Sequence, residues 1–453
     1  MSKKRGTVLI IDGGGRGSAL VDAYSRSSHV KRVLAVPGND LMQFVSEKPV
    51  KIFSRLKTTD VNEILEICKQ EHVDLVDVAQ DNAIEAGLVN ALEQKGVPTV
   101  GPTRDAGEIE WSKTFARNLG KEIGLPQPEY GVFTTTLEGV DYILKQSEDK
   151  GWYAKADGLA QGKGVIPIER KEEARDRIKE LRDRFPNASR VYLIEDWIGK
   201  EQEPHEKGEE FSYFVITDGK VFKKLGAAQD QKRLNDQDQG ENTGGIGSSS
   251  PPLLINEEMS SKVDDKIIAP LFEHLRQIGR EYKGVLYLGG IYLQNRQKIY
   301  VVEFNARWGD PEAQVILPGL KTDLFELGQA VVNQNLRDIN IQTDVKYRIA
   351  VAGVSKGYPN DYRETIGKEV FGIDRVVKMD GIKFYGAGIK KEGGKYYVSG
   401  GRLFYIVGEG ENPIEAREKV YSAMGRIDIE GGNLHFRTDT GLKDAERFKA
   451  STI

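Results

Sequence analysis

The chain is poor in the residues on which much enzyme chemistry rests. It has one cysteine, Cys68, which excludes an internal disulfide and any multi-cysteine metal site. Cys68 shares a helical face with Val61, Ile64 and Leu65, a pattern that predicts packing. The five histidines, His29, His72, His205, His274 and His435, show neither HxH nor HxxxH spacing. Neither a histidine metal centre nor an imidazole-based triad is therefore expected. No apolar run reaches the ~18 residues of a membrane span, and Lys3-Lys4-Arg5 passes into a strand-like segment without a signal-type apolar region. A soluble cytoplasmic protein with no membrane partner is expected. A net charge of −4 over 453 residues offers no general attraction for nucleic acid. An enzyme built without a thiol or imidazole nucleophile fits nucleotide-driven chemistry, in which phosphate and metal carry the charge.

At 453 residues, two to four domains are expected. The most informative stretch is Tyr153-Ala154-Lys155-Ala156-Asp157-Gly158-Leu159-Ala160-Gln161-Gly162-Lys163-Gly164-Val165. Its lysines and glycines, set between short strand-like runs, bring positive charge and bare backbone N–H groups together, as a phosphate cradle requires. Alone, such a segment is as well read as a hairpin with solvated lysines. Far downstream, Val301-Val302-Glu303-Phe304-Asn305-Ala306-Arg307-Trp308-Gly309-Asp310-Pro311-Glu312 reads as a buried strand ending in a carboxylate and an amide two positions apart. Strand alternation places Glu303 and Asn305 on one face, where their oxygens can hold Mg²⁺ (or Mn²⁺) against a triphosphate.

Upstream, residues 7–11 form an apolar strand followed by Asp12-Gly13-Gly14-Gly15-Arg16-Gly17 and a helical pattern. Gly13 and Gly15 match the first two glycines of the dinucleotide fingerprint, but Ser18 holds the third position. This predicts a tight turn near a small phosphorylated ligand, with Gly14, Gly15 and Arg16 as substrate contacts. Strands at 32–36, 74–79 and 98–101, with helices at 61–71 and 82–95, complete four βα units of a doubly wound parallel sheet. Its mouth is lined by residues 13–16, 37–39 and 80–82. One helix is expected over 106–123, carrying Lys113, followed by a compact α+β unit over 130–198 that contains the Gly/Lys hairpin. The polar residues 199–210 read as an exposed loop and 211–217 and 221–225 as strands. Residues 228–247 are too polar for core and too long for a turn, and their interleaved Lys232, Arg233 and glycines predict an ordered anion-binding loop. A helix over 259–281, strands at 284–293 and 298–304, a helix at 324–333 and a strand-rich end with a helix over 414–427 follow.

Assembled, these segments make the chain resemble the phosphoribosylamine–glycine ligase family of the ATP-grasp superfamily, collinearly over nearly its whole length. The resemblance rests on the block from Lys155 to Val165, on Gln229-Asp230-Gln231-Lys232-Arg233, Asn242-Thr243-Gly244-Gly245, the block from Glu303 to Glu312, and Gly400-Gly401-Arg402. It implies an α/β and α+β multidomain protein. Residues 1–103 would form an N-terminal Rossmann-like substrate domain and 104–335 an ATP-grasp domain with a mobile flap at about 128–198. Residues 336–453 would form a C-terminal α+β domain. The implied activity is ATP-dependent amide formation between glycine and 5-phosphoribosylamine through a glycyl phosphate, by a monomer or small homo-oligomer.

By position, Lys113 and Lys155 would contact ATP phosphates, and Gly158, Gly162, Lys163 and Gly164 would close over them. Glu195 to Ile198 would meet adenine, and Glu210, or Glu209, the ribose. Glu303 and Asn305 would hold the metal. Asp230, Lys232, Arg233 and Arg307 would serve catalysis, and Asn242, Thr243, Gly244 and Asp310 would bind substrate. The chain departs from the family pattern at Arg16-Gly17-Ser18, Ala79-Gln80-Asp81-Asn82, Gln231 and Glu241, and residues 199–207 resemble an insertion. Two alternatives stay open at this stage: a carboxylate–amine ligase with another amine, and a catalytically silent nucleotide-binding homologue.

Overall fold

The computed structural model describes residues 5–147, 150–160, 163–199 and 206–452. The N-terminal part is a five-stranded parallel sheet in the order Val50–Ile52, Val30–Pro37, Gly6–Asp12, Leu75–Val78, Thr99–Val100. Gly6–Asp12 lies at its centre and is buried along its whole length, which accounts for its unbroken apolar run. The strand Val50–Ile52 is one more than the expected four, and three residues are too few to display a period of two. The helix expected over 82–95 is two, Asp81–Glu85 and Leu88–Gln94, parted at Gly87 with φ of 81°.

The central sheet has nine strands. Eight follow the order Lys298–Asn305, Gly284–Leu293, Glu209–Thr217, Phe222–Asn235, Gln239–Ser250, Tyr347–Ser355, Arg402–Gly410, Ile382–Gly386, and Leu434–His435 pairs alongside Tyr347–Ser355. The expected anion-binding loop at 228–247 is therefore a long antiparallel ribbon, with Gln231 opposite Gly247 and Arg233 opposite Asn242. It lacks apolar alternation because it borders a polar cleft and another backbone. A Cβ on Gly245 would come within 2.6 Å of the Asp310 carbonyl, so only glycine fits there. The ribbon carries the sheet into the C-terminal part, where residues 247–250 pair with 348–351. The exposed loop expected over 199–210 ends earlier, since Glu209 and Glu210 already belong to a strand.

A separate four-stranded sheet, in the order Tyr130–Phe133, Tyr192–Asp196, Trp152–Ala156, Val165–Ile168, packs on the helices Thr136–Leu144 and Ala174–Arg184. It has its own small core around Trp152, Ile143, Ile178 and Tyr192. The Gly/Lys stretch forms its hairpin, with Lys155 opposite Val165. Gly162 and residues 200–205 of the expected insertion lie outside the described residues.

The single helix expected over 106–123 is broken at Ser112 into Arg104–Trp111 and Lys113–Glu122, because the Ser112 hydroxyl accepts the Phe115 N–H at 3.1 Å as an N-cap. The helix expected over 259–281 contains a wide turn at Asp264–Ile268 and ends at Gln277; Pro270, lacking an N–H, interrupts the regular ladder. Cys68 packs in the interior beside Ile64. Among the described residues no helix is long and apolar enough to cross a membrane.

Candidate active site

Three segments distant in sequence are bolted together by one arginine. Arg117, on the helix Lys113–Glu122, donates through Nε and Nη2 to the two Glu195 carboxylate oxygens at 2.8 and 2.9 Å. The same guanidinium reaches the carbonyls of Val301 and Val302 at 3.2 and 2.7 Å. Glu195 also receives Lys155 Nζ at 2.6 Å. The strand bearing Lys155, the strand bearing Glu195 and the strand bearing Glu303 thus meet around a buried ion cluster. Burial would push the Glu195 carboxyl up, but Arg117 and Lys155 hold it at about 2. Its carboxylate is taken up by these two cations, while Ile198 lies half-buried just beyond that strand.

Asp157 makes the second joint. Its carboxylate accepts the Thr114 N–H at 2.6 Å and its carbonyl the Lys113 N–H at 3.4 Å, so the Gly/Lys hairpin caps the helix on which Lys113 is the first residue. Lys113 and Lys155 are thereby brought together. Burial and then Lys155 depress the Lys113 ammonium, although Glu303 supports it. Gly158 donates its N–H to the Ala188 carbonyl, and Gly164 lies so close to the hairpin that a Cβ would meet Ala160 at 2.6 Å. Lys163 Nζ crosses to the Pro359 carbonyl at 3.3 Å.

Glu303 faces these lysines. Lys232 Nζ stands 3.6 Å from it and 3.1 Å from Glu210. Burial raises the Glu303 carboxyl, but Lys232, Lys113 and Lys155 together hold it at about 2. Burial likewise opposes the Lys232 charge, yet Glu210, Asp230 and Glu303 keep it well above the usual lysine range. Glu210 looks into the cleft, whereas its neighbour Glu209 pairs with Arg447 on the C-terminal helix. Asp230 is pushed up to about 7, first by burial and then by Glu312, Glu210 and Glu303 against Lys232. Ser212 Oγ links this acidic group, lying 3.4 Å from Asp230, 3.2 Å from Glu312 and 3.0 Å from the Tyr287 hydroxyl.

Arg307 donates to Asn305 Oδ1 at 3.0 Å and pairs with Glu110 at 2.8 Å. Asn305 is buried, and its Nδ2 has no partner among the described residues. Its Oδ1 has two lone pairs, so a contact with Arg307 leaves one for a cation. No three carboxylate, thiolate or imidazole groups converge as a closed metal cage among the described residues. Mg²⁺ needs no such cage when phosphates supply most of its ligands. A carboxylate, an amide oxygen and three lysines around one cleft fit a magnesium nucleotide.

The remaining predicted residues divide into cleft and frame. Arg16 is only 4% exposed and is engaged by Asp12 at 2.6 Å and the Trp308 carbonyl at 2.8 Å. Gly14 faces Asp310, and a Cβ on Gly15 would strike Tyr405 and Gln314. Burial raises the Asp310 carboxyl, but Arg402 and Arg16 bring it below the usual range. Arg402 ties Asp310 Oδ2, at 2.7 Å, to the Gly244 carbonyl. Thr243 braces the ribbon, donating to the Lys232 carbonyl at 2.9 Å and accepting from the Gly245 N–H. Asn242 is half-buried opposite Arg233, whose guanidinium folds back onto the Gly240 carbonyl at 2.8 Å.

The departures from the family pattern take definite positions. Ser18 is fully buried and donates to the Gly386 carbonyl at 2.7 Å, so it joins the first helix to the C-terminal strand. Glu241 is exposed. Gln80 reaches Asp12 at 3.2 Å, and Asp81 acts electrostatically on Arg307.

Sequence reasoning missed Glu110 and Arg117 altogether, and assigned no role to Asp157, Glu312 or Arg402. Arg117 carried a usable signal, since it stands one turn before Gly120 on a small-residue side of its helix, where a charged residue calls for a buried partner.

Three family models match in succession: the phosphoribosylglycinamide synthetase N domain over residues 6–110, its ATP-grasp (A) domain over 111–313 and its C domain over 348–443. A phosphoribosylamine–glycine ligase of Rhodopirellula baltica is 34% identical over 431 residues, covering 94% of this chain and 95% of the relative. One of Chlorobaculum tepidum is 35% identical over 439 residues, covering 96% and 99%. The solved structure of phosphoribosylamine–glycine ligase from Thermotoga maritima aligns with a TM-score of 0.77 over 96% of this chain and 99% of that one, at 24% identity.

Proposed function

The chain belongs to the phosphoribosylglycinamide synthetase family, and from that premise we propose that it is an ATP-grasp ligase that joins glycine to 5-phosphoribosylamine in purine biosynthesis. The observation that carries this reading is the meeting of Lys113, Lys155 and Lys232 around Glu303, drawn from segments far apart in sequence. In the proposed reaction a glycine carboxylate oxygen attacks the terminal phosphorus of ATP, the bond to the bridging oxygen breaks and ADP leaves. The amine nitrogen of phosphoribosylamine then attacks the acyl carbon, phosphate departs, and the nitrogen loses a proton. No protein nucleophile takes part, in keeping with a chain poor in thiol and imidazole.

Each residue has a defined part in this proposal. Lys113 and Lys155 neutralise the phosphates by direct charge contact. Glu303 and Asn305 would hold Mg²⁺, which supplies charge neutralisation of the transferring phosphoryl group. Lys232, held charged by three carboxylates, accompanies the developing negative charge. Asp230, Ser212 and Glu312 offer hydrogen-bond acceptors to the glycine ammonium. Gly14, Asp310 and Arg402 border the position of the second substrate, and Gly158, Lys163 and Gly164 stand on the side of the cleft from which the phosphates would be covered. The regions 1–103, 104–335 and 336–453 are proposed as the functional division of the chain.

The altered residue Ser18 lies in a structural joint, bonded to the Gly386 carbonyl. A substrate-omission assay of ADP release tests the whole reading. Release is expected only when glycine, phosphoribosylamine, ATP and Mg²⁺ are all present. Release with glycine and a different amine, or none under any combination, would overturn it.

A further inference from the structure

We propose that Glu110 is the positioning residue for the Asn305–Arg307 end of the metal-binding strand, fixing both the guanidinium and the peptide beside the proposed metal ligand. The inference rests on the ligase reading for its catalytic consequence, but its structural basis is independent of it.

Glu110 stands in the last turn of the helix Arg104–Trp111, outside the central sheet. Its side chain is almost entirely buried and makes two contacts, both to that strand end. One carboxylate oxygen pairs with Arg307 Nη2 at 2.8 Å. The other accepts the Ala306 N–H at 2.7 Å. The same Arg307 Nη2 donates to Asn305 Oδ1 at 3.0 Å, and Nη1 reaches the Trp308 carbonyl at 3.2 Å. One carboxylate therefore fixes the residues on the C-terminal side of Asn305 and, through the guanidinium, the Asn305 amide itself.

This arrangement matters because strand hydrogen bonding ends there. Asn305 is the last residue of its strand, paired with Tyr287, and the residues after it leave the sheet. Without a second anchor the amide and the guanidinium would each sample several rotamers, and a metal ligand loose by an ångström is a poor one. Glu110 supplies that anchor from a rigid helix. The next helix begins three residues later at Lys113, so one short segment sets the metal strand and the phosphate lysine in register with each other. Asp81 acts on the same guanidinium electrostatically, which makes the pair part of the joint between the N-terminal sheet and the cleft.

The test compares the parent with Glu110→Gln, which keeps the shape and one accepting oxygen but loses the charge. Outer partners of metal ligands are typically worth ~10–100-fold, so a fall of at least ~10-fold in kcat and a comparable rise in the Mg²⁺ concentration for half-maximal rate are expected. The KM for phosphoribosylamine should stay within ~2-fold, as uniform binding is untouched. Glu110→Asp should recover part of the loss. In a double-mutant cycle with Arg307→Gln, the two losses should fail to add, since both remove one bridge. A Glu110→Gln protein with parental kcat and magnesium titration, or losses that add fully, would overturn the proposal. Should Glu110→Gln not fold, Arg307→Gln removes the same bridge from its other end, and an unchanged magnesium titration in that variant overturns it equally. Should the parent itself release no ADP, the ligase reading fails. The positioning claim is then read from the Mg²⁺ dependence of ADP binding by calorimetry, where Glu110→Gln still shifts the titration if the proposal holds and leaves it unchanged if not.

Discussion

Replacing Arg117 with methionine tests how the cleft is held together. Methionine keeps much of the apolar stem and removes the guanidinium, leaving Glu195 paired with Lys155 and withdrawing the donors to the Val301 and Val302 carbonyls. Breaking one side of a buried ion pair costs about 3–5 kcal/mol. A second route gives a similar size. The Glu195 carboxyl sits at about 2 in the folded protein against an ordinary 4.5, which at 1.36 kcal/mol per pKa unit corresponds to about 3 kcal/mol shared between Arg117 and Lys155.

Because the loss is local, amide hydrogen exchange is the suitable assay. In the strand Tyr192–Asp196 exchange should accelerate by ~10²-fold or more at neutral pH, while the amides of Gly6–Asp12 stay unchanged. The sign of the pH effect follows from a folded value below the unfolded one. The stabilisation is fully present above about 4.5 and is lost as pH falls toward about 2, so the gap between parent and variant should narrow on acidification. An acceleration below ~5-fold, or a gap that widens in acid, would refute the assignment of Arg117–Glu195 as the joint.

Lys155→Ala should lower turnover by at least ~10²-fold, because it deletes charge at the developing transition state, and should also lower the melting temperature, because it removes one of the cations paired with buried Glu195; parental turnover in steady-state ADP release would remove Lys155 from the mechanism. Glu303→Gln should shift the Mg²⁺ titration of rate to higher concentration, and superimposable curves would count against it as a ligand. Asp157→Ala removes the second capping side chain on the helix of Lys113, leaving Ser112, and should cost about 1 kcal/mol of local stability while raising the KM for ATP. Calorimetric ATP binding equal to the parent's would show that Lys113 needs no such cap.

Local chemistry made much of this protein legible from the chain alone. The parallel N-terminal sheet announced itself through an unbroken apolar strand and a glycine turn, since both faces of such a strand are covered. The Gly/Lys hairpin and the placement of Glu303 and Asn305 along one strand were readable because turn glycines and strand alternation are set by residues at short spacing. The polar ribbon over 228–247 reads as a loop in the sequence, because a strand lining a wet cleft has no reason to alternate apolar residues. The break at Ser112 has two supports, the local Ser112 hydroxyl and the Asp157 carboxylate, and the second is supplied from another part of the fold where the sequence does not show it.

What tertiary structure alone decided is which charges meet. Sequence determined that Lys113, Lys155, Lys232, Glu195 and Glu303 exist; the fold determined that Glu195 is spent on Arg117 and Lys155, that Glu303 is left facing the lysines, and that Glu210 rather than Glu209 looks inward. The physical reason is that a charge takes its role from its partners and from the solvent it has lost, and both are set by contacts between residues remote along the chain.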